Sequence, residues 1–342
     1  MMRVNERLNA IAKMLLEIRD SGERVFVFPH LRLDGDCIGS ATALVVALRK
    51  LGISAFVFMD EPIPDRLSFM AIPDDLIMIC SSELIRQMSP FSGGAVAVDC
   101  SEAGRMGNSG ALFDAAKRTA VIDHHISSKG GSDTHYIVPA SASTSELVLQ
   151  LIRRLEELSE KKLMDPFVAN CLMVGIQSDT GRFSFQNTTA DTLRAAAELL
   201  ENGANVFINA YHLFDATSVE RMKLFAKAMT GAKMFFGGKL AMTVITQEMM
   251  RDTNTTDNAT EGLVSSLRDI EGVIVSFVVR EAEDGEIRVN IRSREPFDSA
   301  AFAETFGGGG HHRAAGFTVD GKTGIEVCKM IIDRAASFFP EA

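Results

Sequence analysis

Residues 24–52 read RVFVFPHLRLDGDCIGSATALVVALRKLG. Arg24 to Pro29 is a short apolar run of β-branched and aromatic residues, the pattern of a buried strand, and Ala41 to Leu51 is the helix expected after it. Outward from this unit the pattern repeats. Ser54 to Met59, Leu76 to Ile79, Ala95 to Val98 and Thr119 to Ile122 read as further strands. Helical patterns cover 144–158, opened by the capping-box sequence Ser143-Thr144-Ser145-Glu146, then 165–178 and 189–202. Strands alternating with helices predict an α/β fold with a parallel sheet covered on both faces. From about Lys233 the character changes to strands over 239–245, 273–279 and 287–291, with the hairpin signal Glu283-Asp284-Gly285 between the last two. The expected organisation is an N-terminal parallel-sheet domain over 1–202, a linker region over 203–232, and a smaller C-terminal α/β domain with a mixed sheet over 233–342.

At 342 residues the chain has length for about two domains. Hydrophobic residues at 46% and charged residues at 23% exclude a disordered, collagen-like or coiled-coil chain. The longest apolar runs, Ala41 to Leu48 and Val273 to Val279, fall well short of the roughly 20 residues of a membrane helix. The N-terminal residues mix Arg3, Glu6, Arg7 and Lys13 with apolar positions, which reads as an amphipathic helix rather than a signal peptide. The five cysteines are scattered without a C-x-x-C pair, so neither a disulfide framework nor a structural zinc site is encoded, and a cytoplasmic location is expected. With 35 Lys and Arg against 45 Asp and Glu the net charge is −10. A protein gripping long duplex nucleic acid through counterion release carries a basic face, so a short phosphorylated ligand is the better expectation.

Five of the seven histidines lie in three short stretches: His30, His124-His125 and His311-His312. The strand at 24–29 runs into His30, Asp34 and Asp36; the strand at 95–98 into Asp99; the strand at 119–122 into Asp123, His124 and His125. Ligands of open parallel sheets bind beyond the carboxyl ends of the strands. Carboxylates gathered there repel one another and raise each other's pKa unless a cation sits among them. Mixed carboxylate and imidazole ligation suits manganese, iron or zinc better than calcium. His30, Asp34 and Asp36 share parity, so a locally extended chain would point all three the same way. Singly, Asp34-Gly35-Asp36 reads as a turn, Asp99 as a cap and Asp123-His124-His125 as a polar loop. The convergence of three strand ends favours a metal site.

Two further stretches carry less specific signals. The apolar helix ending at Ser178-Asp179-Thr180-Gly181-Arg182 is read by itself as a glycine-terminated helix. Phe306-Gly307-Gly308-Gly309-Gly310-His311-His312-Arg313 reads either as a flexible linker or as a backbone cradle for an anion, and the packed-looking Ala314 to Phe317 favours the cradle. Arg288, Asn290, Arg292 and Arg294 alternate with Val289, Ile291 and Ser293, which places basic side chains on one strand face, toward a ligand or toward solvent.

Taken in order, His30-x3-Asp34-x-Asp36 with Gly39-Ser40, Asp99, Asp123-His124-His125 and Asp179-Thr180-Gly181 resemble the successive motifs of the DHH phosphoesterase superfamily. Arg292-Ser293 and the GGGGHHRAAG run from Gly307 to Gly316 resemble its type-one DHH-associated domain. Motif order and length are similar to the stand-alone oligoribonucleases of that superfamily that also dephosphorylate 3′-phosphoadenosine 5′-phosphate.

The resemblance implies two divalent metal ions, manganese(II) being the expected one, and an active site in the cleft between domains. His30 and Asp34 are implied to hold one ion, Asp36, His124 and Asp179 the other, with Asp99 bridging. His125 is implied to contact the scissile phosphate and Asp123 to orient a ligand. Arg182, Arg292, Ser293, Gly308, Gly309, Gly310 and His311 form the implied substrate-binding set. Ser128 stands where asparagine is frequent in the family, Cys37 and Cys100 where small or polar residues are, and His312-Arg313 where a lysine-type continuation is. The partners expected are short RNA or small phosphorylated nucleotides, with a homodimer through the N-terminal domain a family-level expectation. Cyclic or linear dinucleotides are the alternative substrate, and a non-catalytic nucleotide-binding regulator the alternative role.

Overall fold

The computed structural model describes residues 2–89, 91–125, 128 and 131–339. It divides into two compact units, Met1–Ala216 and Thr217–Ala342. The first contains α1 (Met2–Ser21), β1 (Arg24–Phe28), α2 (Gly35–Lys50), β2 (Ser54–Met59), β3 (Ile77–Ile79), α3 (Ser82–Met88) and β4 (Phe91–Val98). It continues with α4 (Gly110–Asp114), β5 (Ala116–Asp123), β6 (His135–Ile137), α5 (Thr144–Ser159), α6 (Pro166–Thr180), α7 (Ala190–Glu201) and α8 (Val206–Ala210).

Its six strands form one sheet in the order β3-β2-β1-β4-β5-β6, and every neighbouring pair is parallel. Strand β1 shows why the sheet is covered twice. Val25 and Val27 enter a core with α1, α2, α5 and α6, while Phe26 and Phe28 point the other way into an aromatic cluster with Phe58, Phe91 and Phe113. Alternation along one strand therefore feeds two cores. The strand order reverses direction between β1 and β4, the switch point at which open α/β sheets hold ligands.

Helix α2 begins six residues earlier than the sequence predicts. Asp34 is its N-cap, the carboxylate accepting from the Cys37 N–H, so Asp36 lies in the first helical turn and not on an extended chain. The shared-parity argument for His30, Asp34 and Asp36 is therefore corrected; a cap and a helix turn, not a strand, bring the three together. Gly35 and Gly39 explain the missed start. Both weaken helix propensity, yet both face α6, where a Cβ would come 2.7 Å from the Ser178 Cβ and 2.4 Å from the Cys171 carbonyl oxygen respectively.

The second unit contains α9 (Val219–Thr230), β7 (Lys233–Phe235), β8 (Leu240–Ile245), α10 (Gln247–Thr253), α11 (Leu263–Arg268), β9 (Val275–Glu281) and β10 (Ile287–Ser293). After these come α12 (Ser299–Glu304), β11 (Gly309–His311), β12 (Ala314–Val319) and α13 (Gly324–Ala335). Its sheet, β11-β12-β10-β9-β8-β7, is mixed: β8 and β9 are parallel and the other neighbours antiparallel. On β10, Ile287, Val289 and Ile291 enter the core while Arg288, Asn290 and Arg292 take the other face, as the alternation predicts.

The boundary between units falls inside 203–232, the stretch read from the sequence as a linker. That stretch is helical on both sides of the boundary: α8 and a π-helical turn over Tyr211–Asp215 end the first unit, and α9 opens the second. Among the described residues, no helix is long and apolar enough to cross a membrane.

Candidate metal centre

The carboxyl ends of β1, β4 and β5 deliver His30, Asp99 and the Asp123-His124-His125 run, and α2 and α6 add Asp34, Asp36 and Asp179. Asp99 is central. Its Oδ2 lies 3.2 Å from His30 Nε2, and its Oδ1 lies 3.4 Å from His124 Nε2 and 3.6 Å from His125 Nδ1. His30 Nε2 is also 3.6 Å from Asp34 Oδ2, and His124 Nε2 is 3.1 Å from Asp179 Oδ2. Two groupings thus share Asp99, one oxygen facing each. Asp99 holds this position with φ of 60°, a left-handed conformation that aspartate tolerates better than most side chains.

Asp36 is fully buried, and the N-terminus of α5 secures it. Thr144 N–H donates to Oδ2 at 2.6 Å and Ser145 N–H to Oδ1 at 2.9 Å, while the Thr144 hydroxyl donates to Asp99 Oδ1 at 2.9 Å. Unsatisfied N–H groups at a helix start suit a carboxylate. The sequence shows 143–146 only as a local helix start. Thr144 and Ser145 are functional residues that reading missed, and the capping box is the signal that located the helix end. Space for this clamp depends on Gly175, where a Cβ would lie 2.0 Å from Ser145 Oγ and 2.6 Å from Asp36 Oδ1.

The imidazoles are oriented from behind. His30 Nδ1 lies 2.7 Å from the Leu31 carbonyl and His124 Nδ1 3.3 Å from the Ser141 carbonyl. A carbonyl only accepts, so each Nδ1 carries a hydrogen and each Nε2 faces the carboxylates, where it donates while protonated and would turn a lone pair to a cation once that proton is released. Asp123, also buried, accepts from His125 Nδ1 at 2.7 Å, from the His125 N–H at 3.1 Å and from the Ser128 hydroxyl. Asp123 therefore orients His125, not His124, and Ser128 supports it from behind.

Electrostatics show what the cluster demands. Burial, followed by the charges of Asp179 and Asp99, pushes the Asp36 carboxyl well above the carboxylate range. Burial also raises Asp179, against the hydrogen bond from His124. At Asp99 burial acts upward as well, but hydrogen bonds from His124 and His30 outweigh it and hold the group well below the usual range. Burial opposes charging of both histidines, yet their carboxylate partners prevail, raising His30 far above the histidine range and His124 to about 11. The carboxylates draw positive charge inward, here as protons on imidazole. Divalent cations would meet the same demand and release those protons. The donor set of carboxylate oxygens and correctly turned Nε2 atoms fits such ions. His124, Asp36 and Asp179 offer ligand atoms within 4.8 Å of one another, as do Asp99, His124 and His125, and so do His30, Cys37 and Asp99.

The remaining candidates lie apart from this cluster in role. Arg182 pairs with Asp215 at 2.5 Å and stacks on Phe214 with its guanidinium carbon 4.9 Å from the ring centroid. In the second unit Ser293 is buried, its hydroxyl bonded to the Phe297 carbonyl at 2.8 Å and to Ser299 Oγ at 2.8 Å. That bonding ties the end of β10 to the segment 297–299. Arg292 is half-buried; burial and the nearby charge of Arg268 lower its pKa. The glycine run is not a flexible linker. Gly309 to His311 form the exposed edge strand β11, and Gly308 and Gly310 lie against β12, where a Cβ would meet the Gly316 and Ala314 carbonyl oxygens at 2.3 and 2.6 Å. Gly309 and His311 are exposed.

Comparison with known proteins finds two matching family domains. The DHH family N-terminal domain matches residues 24–176 and the DHHA1 domain matches residues 237–338. The chain is 30% identical over 320 residues to the bifunctional oligoribonuclease and PAP phosphatase NrnA of Thermus thermophilus, covering 92% of this chain and 89% of that protein. It is 25% identical to the cyclic-di-AMP phosphodiesterase PdeA of Listeria monocytogenes, covering 98% of this chain but 51% of that protein. Among solved structures, an exopolyphosphatase-related protein from Bacteroides fragilis superposes with a TM-score of 0.83 at 23% identity, covering 97% of this chain and 98% of that one.

Proposed function

This chain belongs to the DHH family of phosphoesterases, and on that premise we propose that it hydrolyses very short RNA to nucleoside 5′-monophosphates and removes the 3′-phosphate of 3′-phosphoadenosine 5′-phosphate. The observation that carries this reading is Asp99, with one carboxylate oxygen facing His30 and the other facing His124. His30 and Asp34 would hold one divalent cation, Asp36, His124 and Asp179 a second, and Asp99 both, with manganese(II) the proposed ion. Such ions supply Lewis acidity to the phosphoryl oxygens and acidify water at neutral pH.

The chain's own residues do the rest. The α5 N-terminus fixes Asp36 through two backbone donors, so the carboxylate pays no search entropy when the substrate arrives. His125, held at Nδ1 by Asp123, presents Nε2 as a proton donor to the departing oxygen. Arg292, His311 and the backbone of Gly308, Gly309 and Gly310 are the proposed phosphate-binding groups of the second unit, with Arg182 a further candidate in the first.

Thr144→Val keeps the side-chain shape and deletes one hydrogen bond to a charged carboxylate. That is about 1.5 kcal/mol, or about tenfold in kcat, measured by steady-state turnover; an unchanged rate contradicts the clamp. His311→Ala should raise KM with kcat nearly preserved, and the opposite pattern would assign His311 to the chemical step.

Cyclic or linear dinucleotides are the second reading, favoured by the similarity to PdeA over 98% of this chain. Product-resolved turnover of three substrates separates the cyclic reading from the first, since a linear dinucleotide is a substrate of both: a 5′-phosphorylated RNA dinucleotide, 3′-phosphoadenosine 5′-phosphate and a cyclic dinucleotide. The proposal expects the first two to be consumed fastest. A strong preference for the cyclic substrate would replace it with the second reading.

A further inference from the structure

Among the described residues, Cys37 is the thiol that joins a grouping of possible ligand atoms in the cation cluster. It lies in the first turn of α2, directly after Asp36, and is fully buried. Its Sγ accepts a hydrogen bond from the His30 N–H at 3.2 Å. A ring nitrogen of His30, the Cys37 Sγ and a carboxylate oxygen of Asp99 lie within 4.8 Å of one another. All three side chains are buried. The α2 N-terminus fixes the thiol, because Asp34 caps the helix through the Cys37 N–H at 2.9 Å.

Resting on the two-cation reading above, we infer that Cys37 is a thiolate ligand of the cation held by His30, and that it biases this position toward thiophilic ions such as zinc, iron(II) or cobalt(II). Binding exchanges the thiol proton for the cation and releases one proton per ion bound, with no change of oxidation state. The physical consequence is selectivity. Carboxylate and imidazole ligands alone accept manganese readily, whereas a thiolate adds affinity for softer ions and little for manganese. The two cation positions are then unequal: the Asp36, His124 and Asp179 position is all oxygen and nitrogen, and the His30 position is mixed with sulfur.

The test is optical and needs no turnover. Full-length protein stripped with chelator is titrated with cobalt(II). Visible ligand-field bands report cobalt bound at either position, and a near-ultraviolet charge-transfer band reports a cobalt–thiolate bond. The proposal expects both in the wild-type chain, with the near-ultraviolet band lost in Cys37→Ser and in Cys37→Ala while the visible bands persist. The alanine variant guards against a fold that rejects a buried hydroxyl. Competition titrations should show the preference for zinc over manganese falling about tenfold in both variants. Visible bands without the charge-transfer band in the wild type overturn the inference and leave the two-cation reading standing. A charge-transfer band that survives in Cys37→Ala but vanishes in Cys100→Ser also overturns it. Failure of cobalt to bind at all overturns both.

Discussion

Asp99→Asn should abolish turnover of a 5′-phosphorylated RNA dinucleotide at saturating substrate, a loss beyond the ~10² to 10³ that one electrostatic contact is worth. Asparagine is the informative replacement. Asp99 sits at φ of 60°, which asparagine tolerates and alanine does not, alanine adding about 1–2 kcal/mol of backbone strain. The amide retains an acceptor for the Thr144 hydroxyl and removes only the charge that faces His30 and His124. The variant should therefore fold, with a melting temperature close to wild type, yet lose catalysis. Near-normal kcat in Asp99→Asn would remove the residue on which both cation positions depend.

A large loss of stability is expected from Gly39→Ala. A new Cβ would lie 2.4 Å from the Cys171 carbonyl oxygen and 3.3 Å from the Gly175 nitrogen, both backbone atoms of α6 that cannot step aside. Helix propensity alone would favour alanine by about 1 kcal/mol, so the sign of the result is diagnostic. Overpacking is expected to win by about 2 kcal/mol, which for a unit of this size lowers Tm by about 4–8 °C. Gly104→Ala, where a Cβ meets nothing within 4 Å, serves as the comparison and should leave Tm nearly unchanged. Because α2 carries Asp36 and α6 carries Asp179, Gly39→Ala should also weaken cation binding. A Tm equal to or above wild type would show that the two helices are not held at this separation.

The same glycines explain what the sequence shows and what it hides. RVFVF at 24–28 declares a strand buried on both faces because its valines and phenylalanines serve two different cores. The start of α2 is hidden because Gly35 and Gly39 are chosen for contact with α6 and lower the local helix signal. Strands β6, β7 and β11 are three residues each and include charged, histidine or glycine positions, so they lack the wholly apolar run that marks the equally short β3. Strand β12 is built on Ala314, Ala315 and Gly316, which carry no strand preference.

At the site, His30, Asp99, Asp123 and His124 stand out because they follow strands that the sequence shows, whereas Asp36 and Asp179 lie inside the terminal turns of α2 and α6, where an acidic residue by itself reads as part of a helix end. The α5 clamp was not legible, since backbone N–H groups have no residue signature, and a capping box reports only that a helix begins. The partners of Ser293 were equally hidden: β10 alternation places it on the inward face, and its hydroxyl bonds with Phe297, Ser299 and His312, contacts between segments that no local pattern shows.

The measurement that tests the central claim most directly is mononucleotide release from a 5′-phosphorylated RNA dinucleotide by chelator-stripped protein, before and after manganese is restored. The account predicts no release from the stripped protein, full recovery on adding manganese, and no recovery in Asp99→Asn under the same conditions. Turnover that survives stripping, or its absence in wild-type protein shown to hold two manganese ions, would contradict it.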